Sequence, residues 1–139
     1  MKEMRILSRF SLALFAIVVF TFVFAASAYA VDGLQVEGAA ICENVVDREP
    51  VDAGSSFPVS VGRLYCFTKI VGAGSPTEVT HVWYFGDAER GRVTLSVGGS
   101  NWRTYSSKIV QEHEAGAWRV EVLDADGNTL ETVEFEVVK

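Results

Sequence analysis

Two cysteines, two histidines and three prolines are all that the 139 residues contain. Those scarcities exclude more than the abundant residues reveal. Two isolated histidines and two cysteines fall short of the usual ligand set of a structural zinc. His81 and His113 are the sole candidates for the base of a Ser-His-Asp arrangement, and neither a nucleophile elbow nor an oxyanion-loop signature accompanies them. No catalytic residue, metal ligand or cofactor is therefore assigned. Basic residues are also few, 12 against 18 acidic ones for a net charge of −6, and they are scattered among acids. A nucleic-acid partner needs Lys and Arg gathered on one face, so that class is excluded as well. After Ala30 no window combines an apolar stripe of period 3.6 with capping residues, which predicts almost no helix. Internal repeats, low-complexity stretches and linkers are absent too.

What the chain does have begins at its N-terminus. Lys2, Arg5 and Arg9 precede an apolar run from Phe10 to Phe24, and Ala28-Tyr29-Ala30 offers small residues for cleavage. That tripartite pattern is a signal peptide over residues 1–30, followed by one domain over 31–139. The competing reading is an uncleaved inner-membrane anchor over residues 10–26, which is almost long enough to span a bilayer. Thr21, Ser27 and the adjoining processing site weigh against it. Export to the periplasm or beyond would remove the domain from ATP and nicotinamide pools. A lipoprotein does not fit, because the first cysteine is Cys42, well inside the domain.

Val31 to Lys139 is 109 residues, one core's worth of chain. Without the leader nine basic and seventeen acidic residues remain, a net charge of −8 that favours solubility. In an oxidising compartment Cys42 and Cys66 are expected to pair. Such a bond would close a loop of about 24 residues and add roughly 3 kcal/mol through the unfolded state. The alternative is two small buried strand residues that never meet.

Alternation of period two runs through the rest. Trp118, Val120 and Val122 alternate with Arg119 and Glu121, and Val133, Phe135 and Val137 alternate with Glu134 and Glu136. Both read as half-buried strands, joined into a hairpin by Asp124-Ala125-Asp126-Gly127-Asn128. The turn imitates a calcium loop only in part, with Thr129 where glycine and Phe135 where a bidentate Glu belong. Leu64–Val71, Val79–Phe85, Val93–Val97 and a segment starting at Trp102 read as further strands. Leu34–Val46 is a first strand region, with Arg48-Glu49-Pro50 expected to end its pairing. Six or seven short strands in about 100 residues predict an all-β, immunoglobulin-like antiparallel sandwich, with a small β-barrel as the alternative.

Four stretches carry a resemblance: Asp47-Arg48-Glu49-Pro50, His81-Val82-Trp83-Tyr84, Trp102-Arg103-Thr104-Tyr105-Ser106-Ser107-Lys108 and Gly116-Ala117-Trp118-Arg119-Val120-Glu121-Val122. In that order they resemble the bacterial family called domain of unknown function 2914, from about Ala39 to Val138. The resemblance implies an exported β domain of envelope and membrane-associated proteins and implies no reaction or ligand. Cys42 and Cys66 are not part of it.

The candidate sites follow from side-chain chemistry. His81 shares a strand face with Val79, Trp83 and Phe85, which points to a structural, hydrogen-bonded imidazole. Ser106-Ser107-Lys108 lacks the S-x-x-K spacing of a Ser-Lys enzyme, leaving hydroxyls to satisfy backbone groups. Gln111-Glu112-His113-Glu114 reads as a solvated acidic turn. Trp83, Trp118, Arg48 and Pro50 are assigned structural roles, with Arg48 and Glu49 expected in a local ion pair with neighbouring strands. Aromatic rings beside cationic donors define a binding set of Tyr84, Trp102, Arg103, Tyr105 and Lys108. The expectation is an exported, non-enzymatic binding or structural module of unknown specificity, recognising another envelope component, protein or glycan. A carbohydrate-binding module and a hydrolase built on acids and His81 are the alternatives. A membrane enters only through an uncleaved leader.

Overall fold

The period-two alternation resolves into nine strands among residues 33–139, the part of the chain that the computed structural model describes. They are β1 (Gln35–Val46), β2 (Glu49–Gly54), β3 (Ser56–Pro58), β4 (Arg63–Val71), β5 (Thr77–Phe85), β6 (Ala88–Val97), β7 (Asn101–Ile109), β8 (Gly116–Leu123) and β9 (Thr129–Val138). A single 3-10 turn, Val59–Val61, is their helical complement among the described residues. The leader, its cleavage site and the alternative anchor over residues 10–26 lie outside the described residues. Within those residues no helix is long and apolar enough to cross a membrane.

Two sheets stack into a sandwich, and neither closes into the barrel held as an alternative. One has the order β2-β1-β4-β7 and the other β3-β9-β8-β5-β6. All pairings are antiparallel except that β3 runs parallel to the C-terminal end of β9, from Ser56↔Glu136 to Pro58↔Val138. In immunoglobulin terms β1, β4 and β7 stand as strands A, B and E, while β5, β6, β8 and β9 stand as C, C′, F and G. Trp83 on β5 then occupies the strand of the buried tryptophan typical of such domains, and Cys66 lies on the B-type strand.

Each sheet turns its apolar face inward because alternate residues share a face. From β4 come Leu64, Cys66, Thr68 and Ile70, and from β5 Val79, His81 and Trp83, all buried. Ile41, Leu64, Cys66, Trp83, Trp118, Val120 and Phe135 belong to one apolar cluster, with Trp118 stacked on Phe135 at a ring separation of 6.0 Å. Ile70, Val79, Val97 and Val122 form a second. Burying a large apolar side chain of this kind contributes about 1.5–3 kcal/mol. Thr68, His81 and Ser106 form the polar layer between the clusters.

The predicted β8–β9 hairpin is present, and its turn is built by one carboxylate. Asp124 Oδ1 accepts the backbone N–H groups of Asp126 and Asn128, each at 2.9 Å. These donors, Asn128 foremost, hold the Asp124 carboxyl below its usual pKa range. The acidic turn at 111–114 departs from expectation at its last residue. Glu114 is buried, accepts the Gln111 N–H at 2.9 Å and pairs with Arg90 at 3.3 Å. Its carbonyl also accepts the Trp118 indole N–H at 2.8 Å.

Two strands, β2 and β3, escape the sequence reading, β2 because Pro50 does not end pairing. Asp47 and Arg48, at φ 52° and 61°, form a two-residue hairpin loop between Val46 and Glu49, and Pro50 pairs with Val45. Positive φ at both loop residues is the turn geometry that suits the twist of a β-hairpin. Proline is tolerated because β2 is the sheet's edge and has no neighbour on its far side.

The disulfide is a correction as well: Cys42 and Cys66 are both free and buried. The register explains why. Cys66 lies opposite Ile41, whereas Cys42 lies opposite Tyr65. Residues directly opposite share a face, and a one-residue offset reverses it. Cys66 therefore points into the sandwich core, and Cys42 points away from it. Burial pushes both thiols above their ordinary pKa.

Candidate functional site

The β1–β2 hairpin continues beyond the sheet as an arm. Pairing of β1 with β4 ends at Cys42, while pairing with β2 carries on to Val46. The arm's tip nonetheless reaches β7 at a position opposite Lys69, four residues up β4 from Tyr65. There Arg103 forms an ion pair with Glu49, and its Nη1 donates to the Arg48 carbonyl at 3.4 Å. The arm thus doubles back over the outer face of the β2-β1-β4-β7 sheet. That accounts for the burial of Cys42 and Phe67, which point to this outer side and belong to neither core cluster. Arg48 is exposed, and Glu49 finds its cation on another strand, at Arg103 of β7.

Backbone strain concentrates in the same arm. The non-glycine residues with positive φ among those described are Asp47, Arg48 and Asp52 at 54°. L-residues reach that region at a cost of roughly 1–2 kcal/mol each.

Arm tip and β7 enclose a cleft of about 400 Å³ lined by Arg48, Asn101, Trp102 and Arg103. Trp102 is 38% exposed and backed by the turn that follows β6. A Cβ on Gly98 would stand 2.8 Å from Cη2 and 2.9 Å from Cζ3 of its ring, so only glycine allows the indole to lie against that backbone. Among the described residues Arg103 is paired with Glu49, and Arg48 has no ion-pair partner. The cleft opens at the end of the sandwich that carries the β4–β5, β6–β7 and β8–β9 connections. This follows from the pairing of Val71 with Asn101 and of Thr77 with Val97.

The five residues of the expected binding set do not form one site. Trp102 and Arg103 both line the cleft, but they point to opposite faces of β7, Trp102 lying opposite the core residue Ile70 and Arg103 opposite Lys69 on the outer face. Tyr105, 48% exposed, lies on the outer sheet face with its ring edge-on to Tyr65 at 6.0 Å. Lys108 sits six residues along β7, extended over Gly91 of β6, with its ammonium donating to the Ile109 carbonyl at 3.1 Å. Tyr84 is on the outer face of the opposite sheet, its ring covered by the Arg119 guanidinium at 4.1 Å. Neighbouring strand residues point to opposite faces, which separates Trp83 in the core from Tyr84 outside. Arg48 and Asn101 are the cleft residues that sequence reasoning missed as ligand contacts. The signal for Arg48 was Asp47-Arg48 between two short apolar stretches, a hairpin-tip pattern.

A second, open depression of about 650 Å³ lies beside β8 and β9, with Arg119, Asp87, Glu134 and Glu136 on its rim. Arg119 is engaged there by the Gly86 carbonyl at 2.7 Å and by Glu121 at 3.4 Å. Among the described residues no group of three or more His, Cys, Asp or Glu could hold a metal ion.

His81 lies in neither cleft. Its Nδ1 is 2.7 Å from Ser106 Oγ and its Nε2 is 3.2 Å from Thr68 Oγ1. Trp83 donates its indole N–H to Ser106 Oγ at 3.0 Å, and Thr68 Oγ1 donates to the Thr104 carbonyl at 3.4 Å. With those donors placed, the Ser106 hydroxyl turns to Nδ1 and the imidazole carries its proton on Nε2. Burial pushes the imidazole pKa down to about 4, so the ring is neutral near pH 7. The pair has no carboxylate to orient the ring, and full burial gives a substrate no approach to it.

Taken together, the geometry defines an immunoglobulin-like β-sandwich with an arm-capped cleft and no assembled catalytic group among its described residues. Residues 76–137 match the model of the family described as Protein of unknown function (DUF2914), the family that the sequence resembles. The matched span takes in nearly all of β5 to β9, and with them Asn101, Trp102 and Arg103. The arm with Asp47-Arg48-Glu49-Pro50 and both cysteines fall outside it, so the match is shorter than the resemblance from Ala39 to Val138. No curated protein matches the chain.

Proposed function

We propose that the domain is an exported, non-catalytic recognition module that binds another component of the cell envelope through the cleft between the arm tip and β7. One observation carries this reading: Arg48, Asn101, Trp102 and Arg103 line one cleft at the arm tip and all four are exposed. Trp and Arg are the residues that most often anchor a binding interface, because each offers a large contact area with a directional polar group. The leader pattern supports placement in the envelope. The hydrolase alternative lacks support, since His81 is sealed in the core and bonded to Ser106 and Thr68.

The test is retention of envelope components on the immobilised domain, compared with Trp102→Ala and Arg48→Gln variants of unchanged circular dichroism. The reading expects a component retained by the wild type and lost from both variants. Identical retention by all three proteins would remove the cleft from the function.

A further inference from the structure

We propose that the free edge of β7 is a pairing surface for a second copy of this chain, the two β7 strands running antiparallel and centred on Tyr105. The sheets end in β2, β7, β3 and β6. Native sheets blunt such edges with proline, bulges, charges or brevity. β2 carries Pro50 and a positive φ at Asp52, and β3 is three residues long and ends in Pro58. β3 leaves part of β9 uncovered, and there Glu131 and Glu134 supply charge. Along β6 the register breaks at Arg90, between Glu89 and Gly91, and Arg92 adds a further charge. β7, by contrast, pairs with β4 along its whole length without a break and contains no proline. Trp102, Tyr105 and Ile109 are exposed large apolar residues, and no other strand among the described residues carries as many.

Backbone direction fits the pairing. The Val110 N–H donates to the Gly62 carbonyl at 2.8 Å, and the Gly72 N–H donates to the Ser100 carbonyl at 3.1 Å. These bonds continue the β4–β7 register past both of its ends, and each uses an even-numbered residue flanking β7. An antiparallel strand points its backbone groups alternately to either side. Asn101, Arg103, Tyr105, Ser107 and Ile109 therefore direct theirs away from β4, to the free edge. Two β7 strands centred on Tyr105 set these residues against one another: Tyr105 on Tyr105, Arg103 on Ser107 and Asn101 on Ile109. That register uses the whole strand and forms about ten backbone hydrogen bonds. In the single chain the Ile109 carbonyl is met by the Lys108 ammonium at 3.1 Å, a cap that the Asn101 N–H of the second copy replaces.

The side chains are self-complementary in the same register. On the outer face Tyr105, edge-on to Tyr65 at 6.0 Å, meets its own copy and continues the aromatic row across the junction. On the inner face the released Lys108 comes opposite the exposed indole of Trp102 of the second copy, a cation against an aromatic ring. Arg103 faces Ser107, and its charge is already met by Glu49. No like charges stand directly opposite. A register centred on Arg103 instead sets guanidinium against guanidinium and leaves Ser106 to Ile109 outside the pairing. An isologous contact of this kind closes at two copies. The proposal goes beyond the recognition reading, which rests on the arm-tip cleft and is decided by envelope retention, so either can fail alone.

The experiment is sedimentation equilibrium of the mature chain from about 1 to about 500 μM. The expected result is a monomer–dimer equilibrium. Tyr105→Lys, at an exposed position, sets like charges opposite across the two-fold axis. It should weaken the dimer about tenfold or more, with partial recovery in about 1 M salt. Tyr105→Pro removes an N–H that faces away from β4 and should abolish the dimer. Circular dichroism checks the fold of each variant, and Tyr105→Lys decides if the proline variant does not fold. Val138→Lys, at an exposed position on β9, should leave the dimer as it is. A wild type that stays monomeric throughout, assemblies larger than two, Tyr105→Lys as dimeric as the wild type, or equal weakening by Val138→Lys would each overturn the proposal.

Discussion

Ser106 Oγ lies 2.7 Å from Nδ1 of His81 and so ties the β2-β1-β4-β7 sheet to its partner through the middle of the core. The same oxygen accepts the Trp83 indole N–H, and no buried side-chain polar atom among the described residues lacks a partner. A fully satisfied polar layer between two apolar clusters selects one stacking of the sheets, since any slip leaves its members unpaired.

Ser106→Ala should be costly for that reason. The substitution strands two buried groups, the His81 Nδ1 acceptor and the Trp83 donor. Each unsatisfied group costs about 1–3 kcal/mol, so a loss of about 3 kcal/mol in urea unfolding is expected. A loss under about 0.5 kcal/mol would mean that the layer is not the tie described.

Acid should weaken the fold through His81. Its pKa is about 4 folded against 6.5 for the unperturbed imidazole, so between those values the unfolded chain binds the extra proton. Stability is therefore fully present above about pH 6.5, falls with decreasing pH, and levels off below about pH 4. A shift of this size corresponds to about 3 kcal/mol. Unfolding midpoints of the wild type and of His81→Gln, measured from pH 7 to pH 4, check it. The variant should lose that part of the slope.

Thiol titration should find two thiols in the unfolded protein and none reactive in the native one. Both sulfurs are buried, and both pKa values are raised. Thiolate, the reactive form, is correspondingly scarce. A mass without reduction that shows a bridged pair would contradict the register of β1 on β4.

The arm tip should trade stability against binding. Replacing Asp47-Arg48 by Asn-Gly keeps positive φ at both positions with residues that accept it, and a gain of about 0.5–1 kcal/mol in thermal or urea unfolding is expected. The same change removes Arg48, which has no ion-pair partner among the described residues, so under the proposed recognition role any retention of an envelope component should drop while the fold becomes more stable.

Gly98→Ala tests the indole platform without touching a contact residue. A Cβ there would stand 2.8 Å from the Trp102 ring, closer than packed carbons approach, and must displace it. Iodide quenching of tryptophan emission should rise. Quenching equal to that of the wild type would show that the ring is not seated on the turn.

Sequence alone determined the strand-rich character of the domain and the Asp124–Asn128 turn. Side-chain alternation and residues tolerant of positive φ are local properties, written within a few neighbours. It also marked Trp102 and Arg103, as aromatic and cation side by side, and His81 as a residue of an apolar strand face. Tertiary structure decided which residues meet. Cys42 and Cys66 part because register assigns them opposite partners, Tyr65 and Ile41, a matter of pairing between chain segments that no single segment encodes. Tyr84 and Lys108 leave the binding set because sheet membership and strand position place them elsewhere. Arg48 enters the cleft because a hairpin folds back over a sheet, bringing together residues 55 apart in the chain. Contacts at such separations depend on the stacking of the whole sandwich, and only the folded molecule contains them.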